Sequence, residues 1–354
     1  MLVLAGGMGT RLGFLGPKGC FPITPVRKKT LFQLLAEKTK AASCKYGTPI
    51  PVAIMTSPSN DASIQAFFRE RDYFGLSSKQ IFFFSQDELP LLDERGHLFF
   101  QKPGKLAQGP DGNGSVFRHF FAKGVGDTWK DLGVQHILVL PIDNPLADPF
   151  DVDFLGYHAH VNANVSLKCI RRSFLDDKMG LLACKEDGSY LVLEYSEEGK
   201  KLNFAKDAVG ELVYPYANTG LFAFSFDFTN EVKRVDLPWH LAHKAISFWT
   251  QERGFVEAGV PNAWKYETFI FDLLAYARHV AVVEVSKESN FAPLKGQGDV
   301  KDVQSALMAR DRRLFFRLFG KSPPKGPLEF DPRFHYFGLS GKEKTIESDG
   351  YIAY

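Results

Sequence analysis

The sequence predicts an α/β protein built on a mostly parallel sheet with helices on both faces. Three observations carry that expectation. The first half alternates short apolar runs with helical patterns, and such alternation implies parallel strands joined by crossover helices. A glycine-rich turn, Gly6-Gly7-Met8-Gly9, follows the first apolar run. The chain has 354 residues, 45% hydrophobic and 24% charged, enough for one large core with an appendage.

Strands are expected over residues 1–4, 52–55, 80–84 and 136–140, and helices around 30–42, 60–71 and 114–123. Thr30 suits the N-cap of the first helix and Ser59-Asn60 that of the second. The middle of the chain turns antiparallel. Short β-type runs lie at 164–170, 180–184, 190–195 and 221–226, with Glu186-Asp187-Gly188-Ser189 as a hairpin turn. Helical patterns return at 241–253 and 267–278, before a strand over 280–285. Residues 321–327 hold three prolines and suit a linker. The last ~30 residues form a small tail, too short for a core of its own. The division expected is therefore a catalytic unit over 1–310 and a linker with tail over 311–354. The first strand is short for a central strand, which suggests that the sequence begins late.

Glycines let backbone N–H groups approach an anion, because no Cβ stands in the way. Arg11 and Lys18 add full positive charge at the same turn, so the turn suits a polyphosphate. It is neither a Walker A motif nor a dinucleotide fingerprint, since the spacings differ. A tight strand-to-helix connection would need glycines too; the two cations favour the ligand. Further along, Gly109-Pro110-Asp111-Gly112-Asn113-Gly114 is too glycine-rich for a helix or strand and precedes a helical run. Gln86 follows an apolar strand, where an amide can both donate to and accept from a base edge. Asp143 also follows an apolar strand, a position suited to holding Mg²⁺ through oxygen. Lys295 ends the apolar run Phe291-Ala292-Pro293-Leu294 and calls for an anionic partner unless it reaches solvent. A surface turn, an exposed glutamine and a cap acid remain the plainer readings of the loop, Gln86 and Asp143 taken singly. Ligands of such sheets bind beyond the carboxyl ends of the strands, where the first turn, Gln86 and Asp143 would converge.

Other classes are excluded. A net charge of +2 provides no broad basic field for nucleic acid. No apolar stretch is long enough to span a membrane, and no signal pattern precedes the first strand. Cys20, Cys44, Cys169 and Cys184 form no C-x-x-C pair and are expected as free, buried thiols of a reducing cytoplasm. His158-x-His160 and His240-x-x-His243 have the spacing of metal pairs, but no third ligand stands near them in sequence.

Taken together and in order, these segments resemble the eukaryotic-type UDP-sugar pyrophosphorylases, and within them the UDP-N-acetylglucosamine branch. The likeness runs from Leu4-Ala5-Gly6-Gly7-Met8-Gly9-Thr10-Arg11-Leu12-Gly13 and Pro17-Lys18-Gly19 through Lys29-Thr30-Leu31-Phe32-Gln33 and the second glycine loop. It continues with Gly180, Leu193-Glu194-Tyr195-Ser196-Glu197, Asn218, the run from Lys265 to Asp272, and Phe291 to Lys295. Met8, Ser115 and Gly296 depart from the usual family pattern. The resemblance implies a Rossmann-like nucleotidyltransferase core with an antiparallel sugar-binding insertion and a short C-terminal tail. It implies that Gly6, Gly7, Thr10, Gln86, Pro110, Gly112 and Asn113 hold the nucleotide. Arg11, Lys18 and Lys295 would act on the phosphates, and Asp143 would sit by them with Mg²⁺. Gly180, Glu194 and Asn218 would contact the sugar. The implied reaction joins UTP and a sugar-1-phosphate, foremost N-acetylglucosamine-1-phosphate. Glucose-1-phosphate or several sugars, and a non-catalytic nucleotide-sugar sensor, are the alternatives. No nucleic acid or membrane partner is expected.

Overall fold

A nine-stranded mixed sheet forms the centre of the computed structural model, which describes residues 1–172, 179–194, 202–336, 345–347 and 349–353. Its strands are β1 (Leu2–Leu4), β2 (Val52–Thr56), β3 (Ile81–Ser85), β4 (His136–Pro141), β5 (Val165–Arg171), β6 (Leu181–Cys184), β7 (Tyr190–Leu193), β8 (Tyr216–Ser225) and β9 (Val280–Glu284). The path β4-β1-β2-β3 is parallel throughout. β8 runs antiparallel to β4 and to β5 and carries the β6–β7 hairpin on its first half. β9 closes the far side, parallel to β5. The three-residue β1 thus lies between β2 and β4, so the loop that follows it opens at the middle of the sheet.

Helices cover both faces. α1 (Leu31–Tyr46) and α2 (Asp61–Arg69) place Leu31, Phe32, Leu35, Ile64 and Phe68 against Val3, Val52 and Ile54. α3 (Val116–Ala122) and α4 (Val125–Asp131) place Phe117, Phe120 and Trp129 against Val139, Phe222 and Phe224 on the opposite face. Each such side chain contributes roughly 1.5–3 kcal/mol on burial. Thr30 caps α1 as expected, accepting the Gln33 N–H at 3.1 Å. Asn60 does not cap α2. Its Oδ1 accepts the Ser57 N–H at 2.8 Å and its Nδ2 donates to the Ala5 carbonyl at 3.0 Å, so it anchors the first glycine loop instead. α5 (Val152–His160) brings His158 to Ser166, with Nδ1 2.7 Å from Oγ and the ring edge-on to His136 at 5.1 Å. Burial, with His136 as the lesser cause, pushes His158 down to about 4.

Several expectations are corrected. Residues 241–253 are not helical: they belong to the strands His240–Lys244, Phe248–Thr250 and a turn. His240–Lys244 pairs with Ala263–Glu267, which pairs in turn with Leu92–Asp93. The segment expected as a helix over 267–278 is the end of that strand and a 3₁₀ turn, Ile270–Tyr276. The helices α6 (Phe226–Val232) and α7 (Val300–Phe319) were not expected. The tail shares a core with α7: Leu314 and Phe315 meet Leu328, Phe330, Phe334 and Ile352. Cys20 and Cys169 are buried, but Cys44 and Cys184 are exposed. Tyr195, Ser196 and Glu197 lie outside the described residues. No helix among the described residues is long and apolar enough to cross a membrane.

Candidate active site

The loop after β1 is folded back on itself. Gly9 N–H donates to the Gly16 carbonyl at 2.8 Å and Lys18 N–H to that of Gly7 at 3.1 Å. Ser57 Oγ donates to the Gly6 carbonyl at 3.0 Å, so the start of α2 holds the loop from below. A Cβ at Gly6 would displace the Gln86 amide from where it lies, so glycine here lets that amide rest against the loop. Gly6 and Gln86 are thus brought together as expected, and Gln86 is buried. Gly7 and Thr10 lie on the exposed rim.

The second glycine loop leaves a short strand in which Pro110 pairs with Glu88. Gly112 has φ +92°, and a Cβ there would clash with the Thr268 carbonyl. Thr268 N–H donates to the Asp111 carbonyl and Gly114 N–H to the Thr268 carbonyl, both at 2.9 Å. Asn113 Oδ1 accepts the Ile270 N–H at 2.9 Å. The loop is therefore stitched along one side to residues 268–270.

Asp143 stands beyond the end of β4. Its Oδ2 accepts from Lys295 Nζ at 2.7 Å and lies 3.5 Å from Lys18 Nζ, while its buried Oδ1 has no hydrogen-bond partner. Lys18 also donates to the Leu294 carbonyl at 3.2 Å. Burial lowers the Lys18 pKa against the attraction of Asp143, with Lys295 and Arg11 lowering it further. The Lys295 segment is held by Asn144, which donates to the Asn290 carbonyl at 2.7 Å and accepts the Ala292 N–H at 3.1 Å. Lys295 combines the two alternatives open in sequence: its side chain is 60% exposed and so reaches solvent, and it has found its carboxylate all the same.

Across the cleft, Glu194 Oε1 lies beside Gly180, and Asn218 N–H donates to the Gly180 carbonyl at 2.9 Å. Asn218 Oδ1 accepts the Gly220 N–H at 2.9 Å, which points its amide NH₂ away from that bond. The cleft has a volume of about 660 Å³ and is lined by Arg11, Asn113, Asp143, Gly180, Glu194, Asn218 and Lys295. Seven expected residues therefore share one cavity. Lys18 adjoins it through Asp143, and Gly112 through its chain neighbour Asn113; Gly6 and Gln86 meet each other and Pro110 meets Glu88, outside the lining of the cleft. Sequence reasoning assigned no role to Phe269 and Phe271, which line the cleft and stack at 5.0 Å. The alternation Phe269-Ile270-Phe271 was their only signal. Sequence reasoning read Asn60 only as a helix cap and gave Asn144 no role, whereas both bond backbone far away in sequence.

The unresolved histidine pairs are settled by position. His240 and His243, an odd number of residues apart on a strand, face opposite ways. His240 Nε2 lies 2.9 Å from Asp272 Oδ2, whereas His243 stacks on Trp264 at 4.4 Å. Among the described residues no three His, Cys, Asp or Glu side chains cluster to hold a metal.

A central sheet of this topology, with a polar cleft at the carboxyl ends of its parallel strands, defines a nucleotidyltransferase-like α/β protein. The chain belongs to the family described as UTP–glucose-1-phosphate uridylyltransferase, whose pattern matches residues 1–323. It is 35% identical over 310 residues to UDP-N-acetylglucosamine diphosphorylase 1 of Arabidopsis thaliana, covering 83% of this chain and 60% of that protein. It is 33% identical over 317 residues to the UDP-N-acetylglucosamine pyrophosphorylase of Saccharomyces cerevisiae, covering 85% and 65%. The chain thus spans less than two thirds of the length of these relatives. The crystal structure of the uridine diphosphate N-acetylglucosamine pyrophosphorylase from Trypanosoma brucei superposes with a TM-score of 0.80 at 27% identity, over 94% of this chain and 72% of that one.

Proposed function

We propose that the chain is a uridylyltransferase that makes a UDP-sugar and pyrophosphate from UTP and a sugar-1-phosphate, with N-acetylglucosamine-1-phosphate as the preferred sugar. The observation that carries this reading is Asp143, held between Lys295 and Lys18 at the cleft with one oxygen left over. The names of the relatives support the acetylated sugar.

In the reaction, a phosphate oxygen of the sugar-1-phosphate attacks the α-phosphorus of UTP. A new P–O bond forms, the α–β bridging bond breaks, and pyrophosphate leaves with that electron pair. No protein nucleophile is needed; two anions must be aligned and their charge offset. Arg11 and Lys18 meet the triphosphate, and Lys295 meets the sugar phosphate. Gly6, Gly7 and Thr10 line the nucleotide, while Gln86, Pro110, Gly112 and Asn113 enclose the base. Gly180, Glu194 and Asn218 receive the sugar, beside the apolar wall of Phe269 and Phe271.

The unpartnered Oδ1 of Asp143 suits a hard cation, whose remaining ligands would be phosphate oxygens and water. Bound there, Mg²⁺ would offset phosphate charge. Pyrophosphate release from UTP with a panel of sugar-1-phosphates tests the reading. Release is expected only with both substrates and fastest with N-acetylglucosamine-1-phosphate. Faster release with glucose-1-phosphate would move the assignment to that sugar. UTP binding without release would make the chain a sensor.

A further inference from the structure

His119, on α3, is buried beneath the second glycine loop and belongs to none of the groups assigned above. Its Nε2 lies 3.0 Å from Oδ2 of Asp111, which is itself buried. The shorter contact is to a carboxylate, which only accepts, and makes Nε2 the donor; the Asp87 N–H, whose nitrogen is 3.4 Å from Nε2, can donate to the same atom only in the other tautomer. Nδ1 is 3.9 Å from Asp87 Oδ2. Asp87 follows Gln86, and Asp111 stands between Pro110 and Gly112. One imidazole therefore sits where the two segments assigned to the base come together.

The backbone ties these segments by the antiparallel pairing of Glu88–Pro90 with Gln108–Pro110 and, one step further, by Asp111 N–H to the Asp87 carbonyl at 3.1 Å. Beyond that pairing the loop turns away toward Thr268, which holds it from the other side. A carboxylate kept in the core is costly unless bonded, and Oδ1 of Asp111 already lacks a partner. The histidine bond thus adds the side-chain link that fixes the loop where the strand pairing ends, at Asp111.

We propose that His119 is a positioning residue for nucleobase recognition. Through Asp111 it fixes residues 110–113 against Gln86 and so sets UTP affinity without touching the nucleotide. This rests on the uridylyltransferase reading above. The test uses the full chain, with UTP binding by calorimetry and KM for both substrates. His119→Leu keeps bulk and removes the donor; His119→Gln restores an amide N–H near the place of Nε2. Losing a buried bond to a charged group should raise the UTP Kd and KM of His119→Leu by roughly 5- to 150-fold, with the sugar-1-phosphate KM unchanged. His119→Gln should recover most of the affinity. Asp111→Asn, which keeps the shape but weakens the acceptor, should raise the UTP KM in the same direction should His119→Leu fail to fold.

A wild-type UTP Kd in His119→Leu, an equal loss on both substrates, or no gain from glutamine over leucine would overturn the proposal. In the Asp111→Asn arm, an unchanged UTP KM would do the same. A wild-type chain that binds no UTP would bring down the uridylyltransferase reading and this inference with it; a wild type that binds, beside an unaffected His119→Leu, would sink the inference alone.

Discussion

Asp143 shows how one side chain can serve two partners and retain capacity for a third. Its Oδ2 lies between two ammonium groups while Oδ1 stays unbonded. Asp143→Asn keeps the shape and removes the charge. We expect it to weaken the response of the rate to Mg²⁺ and to cut turnover on the order of 100-fold, as loss of one electrostatic partner does. A Mg²⁺ titration with the wild-type midpoint would exclude Asp143 as its holder. Asn218 differs, because its Oδ1 is already occupied by Gly220 N–H. On the proposed reading its NH₂, fixed in direction by that bond, is the donor it would offer to the sugar. Asn218→Asp, which keeps the oxygen and loses the donor, should lower kcat/KM for N-acetylglucosamine-1-phosphate more than for glucose-1-phosphate. Equal losses on the two sugars would leave Asn218 with a purely local role. The charged and glycine positions were legible in sequence because their chemistry is unusual beside apolar strands. Asn144 and His119 were not, since their partners lie on backbone and side chains that only folding brings near.

At the scale of elements, the two glycine loops are shaped by what they meet. Gly112 combines a positive φ with contact against the Thr268 carbonyl. Gly112→Ala would incur both backbone strain and a backbone clash, at least about 1–3 kcal/mol. It should lower the melting temperature and the UTP affinity together. A variant with wild-type values of both would mean that the bridge to Thr268 is not formed in solution. The parallel strands and α1 to α3 could be expected from local pattern. The strands at 240–244 and 248–250 could not, because Leu241, Ala245, Phe248 and Trp249 also fit a helical spacing, and the pairing with Ala263–Glu267 is long-range. In α7 the buried stripe Val303, Leu307, Asp311, Leu314 and Phe315 has helical spacing. An acid in its middle conceals it. Asp311 is buried because Oδ2 accepts the Phe330 N–H at 2.9 Å.

Across the whole molecule, two histidines, buried His158 and half-buried His136, make stability depend on acidity. His158 is held near 4 and His136 is also lowered, chiefly by burial. Between about pH 4 and 6.5 the unfolded chain binds more protons at His158 than the folded chain, so stability falls as pH falls through that window. The melting temperature should drop from pH 7 to pH 5, and His158→Gln should make that drop smaller. An unaltered drop in the variant would assign the acid sensitivity to other groups. The tail is a second feature at this scale. Glu329 Oε2 accepts both Val26 N–H and Arg27 N–H at 2.9 Å, and Lys29 Nζ donates to Tyr351 Oη at 2.9 Å. The chain's last strands therefore brace the segment that leads from the first glycine loop into α1.

That bracing, with the Lys18 contact to Leu294, has a consequence for the order of biosynthesis. The two partners of that contact are 276 residues apart, and Val26 waits for Glu329, 303 residues downstream. At about 5–20 residues per second, the first loop leaves the ribosome roughly 15–60 s before its partners exist. During that interval β1 gains β2 and Lys18 gains Asp143, but Lys295 is still to come and the acid-lysine cluster stays incomplete. On the uridylyltransferase reading, a half-made chain therefore lacks the lysine that completes its cleft, and that cleft closes only when synthesis of the chain is nearly done.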